Sequence, residues 1–297
     1  MQGIIVKGSK NLFTVKPAGT GDGAAGWVEC RLKGKVLKED GRVYNPLAPG
    51  DIVLFAPDTC LIESRLPRRN KFSRWNEKGR SSQTLAANID LVLCVTSPAS
   101  PPFRPRFIDR VLIQAEAENI AAAIALNKSD LLLGESDADR LANFEKIGVP
   151  VLRISAKTGE GFPALEDRLA GQTALFVGQS GVGKTSILNR LFPGCNGRTG
   201  AVNRKFDRGN HTTVMPVLYE HEQYAVIDSP GLRQFIPDGI AGADIALYMG
   251  DIAPFAAQCA FGASCTHTSE PGCAVIDAVS TGHIRKDRYQ SLLRLKG

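Results

Sequence analysis

Residues 1 to about 70 carry short apolar or alternating runs, GIIVKG, LFTVK, WVECRL, GKVLKED and DIVLFA, separated by turn-rich stretches such as PAGTGDGAAG and NPLAPGD. Runs of this length and spacing predict a small antiparallel barrel, with OB-fold or SH3-like closure and no helix. From residue 89 the pattern changes. IDLVLCVTS is a continuous apolar run of buried-strand type, and in FRPRFIDRVLIQAEAEN the residues Phe107, Ile108, Val111, Leu112 and Ala115 recur at helical spacing. IAAAIALNKSD, VPVLRISAKTG and TALFVG read as further strands. DADRLANFEKIG, with Gly148 placed to end it, and FPALEDRLAG read as helices. KTSILNRLF is a helix, and PVLYE and YAVIDSPG are two more strands. The whole predicts an α/β sheet of about six strands in which parallel pairing dominates.

Between the two patterns lies RLPRRNKFSRWNEKGR, residues 65 to 80, with seven Arg or Lys against one acidic residue, and with Phe72 and Trp75 among them. Two readings stand. One is a solvated linker; the other is a phosphate-neutralising segment whose rings stack on bases, beside a barrel of the kind that binds RNA.

Chemistry enters at the strand ends. Gly178, Gln179, Ser180, Gly181, Val182, Gly183, Lys184 and Thr185, followed by Ser186, fit G-x-x-x-x-G-K-[ST] after an apolar strand and at the opening of a helix. There the glycines let N–H groups turn toward phosphates, Lys184 reaches the β and γ oxygens, and Thr185 offers a hydroxyl to Mg²⁺. Asn127, Lys128, Ser129 and Asp130 follow another strand. A carboxylate at Asp130 accepts two hydrogen bonds from guanine that adenine does not offer, while Asn127 and the Lys128 stem brace the loop and the base. Ser155, Ala156 and Lys157 follow a third strand, in the position of a second base-reading loop. Asp228-Ser-Pro-Gly231 has the form D-x-x-G, with Asp228 toward Mg²⁺ and the Gly231 N–H toward the γ-phosphate.

In a Ras-like order the phosphate loop comes first; here NKSD precedes it. Reading from residue 173 through DSPG and restarting at residue 89 restores that order, so the domain is circularly permuted. These motifs, in this order, resemble the ribosome small subunit-dependent GTPase A family (RsgA, also called YjeQ), over essentially the full chain. The resemblance implies an N-terminal OB-fold, a permuted GTPase domain and a C-terminal zinc domain. It further implies GTP hydrolysis stimulated by the 30S subunit, and a role late in that subunit's maturation.

The family's G-x-H-T-T phrase matches Gly209-Asn-His211-Thr212-Thr213. One threonine of this switch loop is expected to close on Mg²⁺; the distance to the next strand favours Thr213, with Thr212 the alternative. Ras-like enzymes place a water-orienting glutamine just after D-x-x-G, but Leu232 stands there, so slow intrinsic hydrolysis is expected. His211 is the candidate to position the water, the alternative being a ribosomal group.

Cys259, Cys265, His267 and Cys273 supply three thiolates and an imidazole, the set of a closed structural zinc site. They match the family's zinc motif, SEPGC included, except that five residues separate Cys259 and Cys265 where the family has four. The tail HIRKDRYQSLLRLKG is basic and helical in period. Ile284, Tyr289, Leu292 and Leu293 are expected inward, covering the zinc module, and its charges outward toward RNA. The expected division is 1–72 (OB-fold-like barrel), 73–245 (permuted GTPase domain) and 246–297 (zinc-binding, mainly helical).

Composition narrows this little further. The chain has 297 residues, 43% of them apolar, enough for two or three domains. No run of eighteen apolar residues occurs, and MQGIIVKGSK lacks the marks of a signal peptide, so no membrane partner and a cytoplasmic location are expected. An odd count of seven cysteines, three crowded beside a histidine, favours a metal over disulfides. The net charge of +6 favours a polyanionic partner, which the resemblance makes the rRNA of the 30S subunit. The expected state is a monomer using GTP/GDP, Mg²⁺ and one Zn²⁺. Two other readings stay open: a GTP-gated RNA-binding protein whose hydrolysis is incidental, and a GTPase acting on protein partners alone.

Overall fold

The structure, a computed structural model, describes residues 1–9, 11–19, 26–33, 44–193 and 215–296. His211, Thr212, Thr213 and the run GKVLKED lie outside the described residues.

Five short strands, β1 (Gln2–Ser9), β2 (Leu12–Pro17), β3 (Val28–Leu32), β4 (Ile52–Ala56) and β5 (Leu61–Arg65), close into a barrel in the order β1-β2-β3-β5-β4. The β3–β5 pairing is parallel and the others antiparallel, the OB-fold arrangement. Alternation places Ile5, Phe13, Val15, Cys30, Val53, Phe55 and Ile62 inside it.

The basic stretch after the barrel is not a linker. Its second half is β6 (Lys71–Asn76), which pairs with β7 (Ser81–Ala87) in a separate antiparallel hairpin. Phe72 is fully buried against Phe235, ring centroids 5.5 Å apart, and so is not available to stack on a base; Trp75 is exposed. A β-bulge between Phe72 and Ser73 breaks the alternation and turns both inward. The expected boundary at 72/73 falls inside β6.

The central sheet runs β10 (Val151–Arg153), β9 (Ala121–Leu126), β8 (Leu91–Thr96), β11 (Thr173–Gly178), β13 (Ala225–Asp228), β12 (Val217–Glu220), parallel except for β12 at the edge. Period 2 divides its apolar residues between two layers. Val92, Cys94, Ile124, Leu126, Leu175 and Val177 meet α1 (Pro105–Ala117) and α2 (Glu135–Lys146). Leu91, Leu93, Val95, Ala123, Ala174 and Phe176 meet α3 (Phe162–Leu169) and α4 (Lys184–Leu191) on the other face. A strand covered on both faces needs an apolar residue at every position, which is why IDLVLCVTS has no polar alternation.

The C-terminal module holds a 3₁₀ turn (Gly242–Tyr248), α5 (Ala253–Ala257), α6 (Ala274–Ser280) and α7 (Lys286–Lys296). Its core of Ile245, Met249, Ile252, Val275, Ile284 and Leu292 is joined by Ile113, from the far face of α1. One turn before Ile113, Asp109 is buried and takes Arg140 of α2 (2.8 and 3.0 Å), Ser291 of α7 (2.5 Å) and Arg288 of α7. Arg288 also forks onto Asp251 at 2.8 and 2.6 Å. The tail thus carries one of its charges inward: Arg288 is buried and cannot meet RNA. Ile284 and Leu292 are buried as expected, and Tyr289 and Leu293 half-buried.

The barrel meets the GTPase core differently. The Ala87 N–H donates to Pro49 O (3.0 Å) and the Asn88 Nδ2 to Gly50 O (2.9 Å), while Asn70 bonds both the N–H and the carbonyl of Ile89.

Candidate nucleotide site and metal centre

All the described loops singled out by sequence open at the carboxyl edge of the parallel strands, where such sheets bind ligands. The NKSD loop leaves β9, the SAK loop β10, the phosphate loop β11 and DSPG β13.

Asn127 ties three of these segments. It is buried, donates Nδ2 to Val182 O of the phosphate loop at 2.8 Å, and accepts the Ala156 N–H at 3.0 Å. The Ala156 N–H is therefore engaged by Asn127, and a guanine O6 placed there would share it. Gly183 explains itself at the same contact: its φ is +94°, and a Cβ there would lie 2.2 Å from Asn127 Nδ2. The Lys128 ammonium reaches Gly181 O at 2.9 Å and the carbonyl of Ser100, spanning from the NKSD loop to the phosphate loop.

Asp130 is exposed at the rim and accepts the Ser155 hydroxyl at 2.7 Å. That hydrogen bond is the main cause that holds its carboxyl below the ordinary aspartate value. Ser155 in turn accepts the Thr158 N–H (3.2 Å), so the two base-side loops form one unit.

Lys184 opens α4 and is buried, its ammonium on Gly178 O (2.9 Å) and Gln179 O (3.3 Å). Burial lowers its pKa, and the Asp228 carboxylate acts in the opposite sense. A phosphate beside it would act in the same sense as Asp228, favouring the charged ammonium. Ser180, Gly181, Thr185 and Ser186 are exposed along the loop mouth. Gly231 packs on the phosphate loop, where a Cβ would lie 2.9 Å from Ser180 Cα, and the next N–H, from Leu232, donates to Gly178 O (3.1 Å). Asp228 ends β13, buried beneath the same mouth.

What sequence reasoning missed is the segment just past DSPG. Phe235 lies between Phe72 and Phe107, the Trp75 N–H donates to Ile236 O (2.9 Å), and the Asp238 N–H to Gln114 Oε1 (2.7 Å). The switch strand is thus tied to the hairpin and to α1. Only the apolar Phe235-Ile236 pair in LRQFIPDG hinted at burial.

In the C-terminal module Cys259, Cys265, His267 and Cys273 are buried, with their donor atoms all within 4.8 Å of one another. Cys273 Sγ lies 3.9 Å from Cys259 Sγ, 3.6 Å from Cys265 Sγ and 3.2 Å from His267 Nδ1. A tetrahedral zinc with Zn–S bonds of about 2.3 Å sets sulfurs about 3.8 Å apart, so the set fits that ion. The five-residue spacing is taken up by a short 3₁₀ turn, Gly262–Ser264. Glu270 knits the loop, accepting N–H groups from Thr266, Thr268 and Ser269. The Tyr289 hydroxyl donates to His267 O at 2.6 Å, linking α7 to the ligand loop.

An OB-fold, a parallel sheet with phosphate, base and switch loops in permuted order, and a Cys₃His module define a circularly permuted P-loop GTPase. The comparisons agree. The family described as RsgA GTPase matches residues 65–236. The small ribosomal subunit biogenesis GTPase RsgA of Borreliella burgdorferi is 36% identical over 267 residues, 89% of this chain and 86% of its own. That of Bacteroides fragilis is 35% identical, covering 99% and 96%. Among solved structures, YjeQ from Thermotoga maritima superposes with a TM-score of 0.73 at 29% identity, over 99% of this chain and 96% of that one. YloQ, a circularly permuted GTPase, superposes at 0.69 with 24% identity, over 99% and 93%, which bears on the fold alone. The chain belongs to the RsgA GTPase family and is a GTP hydrolase.

Proposed function

We propose that this GTPase serves in biogenesis of the small ribosomal subunit, in the cytoplasm and as a monomer, binding that subunit's rRNA and hydrolysing GTP when the subunit engages it. The observation that supports the site assignment is the Asn127 bridge, which ties both base loops to the phosphate loop. The relatives named small ribosomal subunit biogenesis GTPase supply the biological setting.

In this reading Asp130 receives the guanine N1–H and amino group, with Asn127, Lys128, Ser155, Ala156 and Lys157 shaping the base pocket. Gly178 to Ser186 wrap the phosphates. Lys184 holds the β and γ oxygens and stabilises charge as the γ-phosphoryl leaves. Thr185, Asp228 and the switch threonine, Thr213 or Thr212, would hold Mg²⁺, which supplies charge neutralisation between phosphates. Gly231 presents its N–H to the γ-phosphate, and His211 positions the water. Zinc on Cys259, Cys265, His267 and Cys273 is structural, since four protein donors leave it no open position. The chain works as three parts: the barrel, the permuted GTPase domain and the zinc module from about residue 246.

Two measurements test this. Hydrolysis by the intact protein should be slow alone and rise many-fold with small subunits; equal rates with and without them would remove the subunit from the mechanism. Asp130→Asn should weaken GTP at least a hundredfold and favour xanthosine triphosphate, since an amide opposes one guanine donor. Unchanged GTP affinity would take Asp130 out of the site.

A further inference from the structure

Beside the nucleotide mouth lies an open cleft of about 600 Å³ between the start of α1, Gln179 at the edge of the phosphate loop and the segment after DSPG. Arg104, Arg106, Arg110, Arg140 and Arg233 line it, against the single carboxylate of Asp287.

Three observations say that this cleft awaits an anion. Arg104 and Arg106 flank Pro105 in the first turn of α1, which has no acidic residue, so they stand at the positive end of a helix dipole, where cations are disfavoured. Stability alone would select the opposite charge. Second, Arg110 is half-buried with Arg106 as its neighbour, and burial followed by that like charge pulls its guanidinium below the ordinary value. Third, Arg140 forms part of the inner wall; it is buried and its Nη2 is held by Asp109, but its Nε has no hydrogen-bond partner among the described residues, so the wall keeps a donor to spare. Its Nη1 faces Asp287 at 3.3 Å.

We propose that this cleft is a seat for the phosphate backbone of RNA, and that its occupation is read directly by the GTPase switch. The inference rests on the rRNA-binding reading above and gives it a place on the GTPase domain itself. RNA is favoured over a small anion because the cleft is open and its basic surface continues. Glu77 at the hairpin tip lies close enough to act on Arg110, and Arg74, Lys78 and Arg80 belong to that hairpin. Arg233 joins the cleft to the switch strand. It sits two residues past Gly231, whose backbone packs on Ser180, and two before Phe235, which is held between the hairpin and α1. A phosphate bridging Arg106 and Arg233 would fix the switch strand against α1 and so settle Gly231 on the γ-phosphate side.

The test is Arg106→Glu with Arg233→Glu in the full chain, both residues being exposed. A control of equal charge, Lys146→Glu with Arg153→Glu, changes exposed positions outside the cleft. Fluorescence anisotropy with a labelled RNA stem-loop gives affinity across a salt series, and GTP turnover is followed with and without small subunits. The cleft variant should retain nucleotide-dependent melting and its intrinsic rate. Its slope of log affinity against log salt should flatten by about 1.4 to 1.8, as two lost phosphate contacts predict. Subunit stimulation should fall tenfold or more, with the control unchanged. A cleft variant that keeps the parent's slope and stimulation overturns the inference. So does polyglutamate competing as well as unlabelled RNA, which would assign the cleft to an acidic protein. A parent protein with neither RNA binding nor stimulation would instead bring down the proposed function, a result distinguishable from the other two.

Discussion

The GTPase core is joined to its neighbours by two seams built from different materials. Toward the barrel, the contact is mainly backbone on backbone, Pro49 and Gly50 against Ala87 and Asn88 with asparagine amides bonding the remaining groups, and an ion pair, Lys16 to Glu220 at 2.7 Å, stands beside it. Toward the zinc module it is ionic and buried, Asp109 and Asp251 against Arg140 and Arg288. The backbone and amide hydrogen bonds of the first seam involve no titratable group, so among the described residues pH and salt act on it through that pair. A cluster of two carboxylates and two guanidiniums gains little net stability, because desolvation offsets most of the attraction, but it penalises every misaligned or incomplete arrangement. The first seam fixes a distance; the second fixes a register.

Removing zinc should have the largest effect, on the order of 10 kcal/mol for a module whose core includes its own ligands. Chelation, followed by calorimetry, should abolish the transition of the C-terminal module and leave that of the barrel. Simultaneous loss of both would show that the seams are not independent. Arg288→Met comes next, because it leaves Asp109 and Asp251 buried with half their partners gone; a loss of about 3–5 kcal/mol is expected in denaturant titrations. A cost below 1 kcal/mol would mean that water reaches the cluster. Gly50→Ala probes the other seam: φ is +89° and the new Cβ would lie 2.1 Å from Ala87 O, so more than about 1 kcal/mol should be lost without any change in salt dependence.

The smallest effect is that of acid. Burial acts to raise the pKa of Asp251, but the hydrogen bonds and charge of Arg288 outweigh it and hold the group below its ordinary value. Its contribution is therefore complete above about pH 4 and is lost as pH falls through the lowered folded value. Limited proteolysis under progressively acid conditions should release the C-terminal module before the barrel. Release of the barrel first would invert the contrast between the seams.

How legible these features were follows from how local they are. The phosphate loop, NKSD, SAK and DSPG are runs of three to eight residues at the ends of apolar strands, so chemistry and element are read together. The zinc ligands span only Cys259 to Cys273. Asp109, Arg140, Asp251 and Arg288 are scattered over most of the chain, and in sequence each looks like an ordinary surface charge; only the docking of α7 on α1 makes them a cluster. The hairpin was hidden for another reason. Charges on its exposed positions and the bulge at Phe72 erase the alternation that would have marked a strand, so Phe72 read as a ring in a basic tail.

The permuted connectivity also sets the order in which the sheet can be assembled during synthesis. β8, β9 and β10, with α1 and α2, are complete before β11 is made, and β8 pairs with β11 along its length, from Leu91 opposite Ala174 to Val95 opposite Gly178. While the ribosome extends the chain from Thr96 to Thr173, β8 is therefore a bare edge of uncharged, apolar residues, the kind of template on which strands of other chains add. An unpermuted relative would make its phosphate-loop strand first and expose a different edge. The rearrangement leaves the finished sheet in the same form and transfers the hazard of misassembly to the base-reading half of the nascent protein.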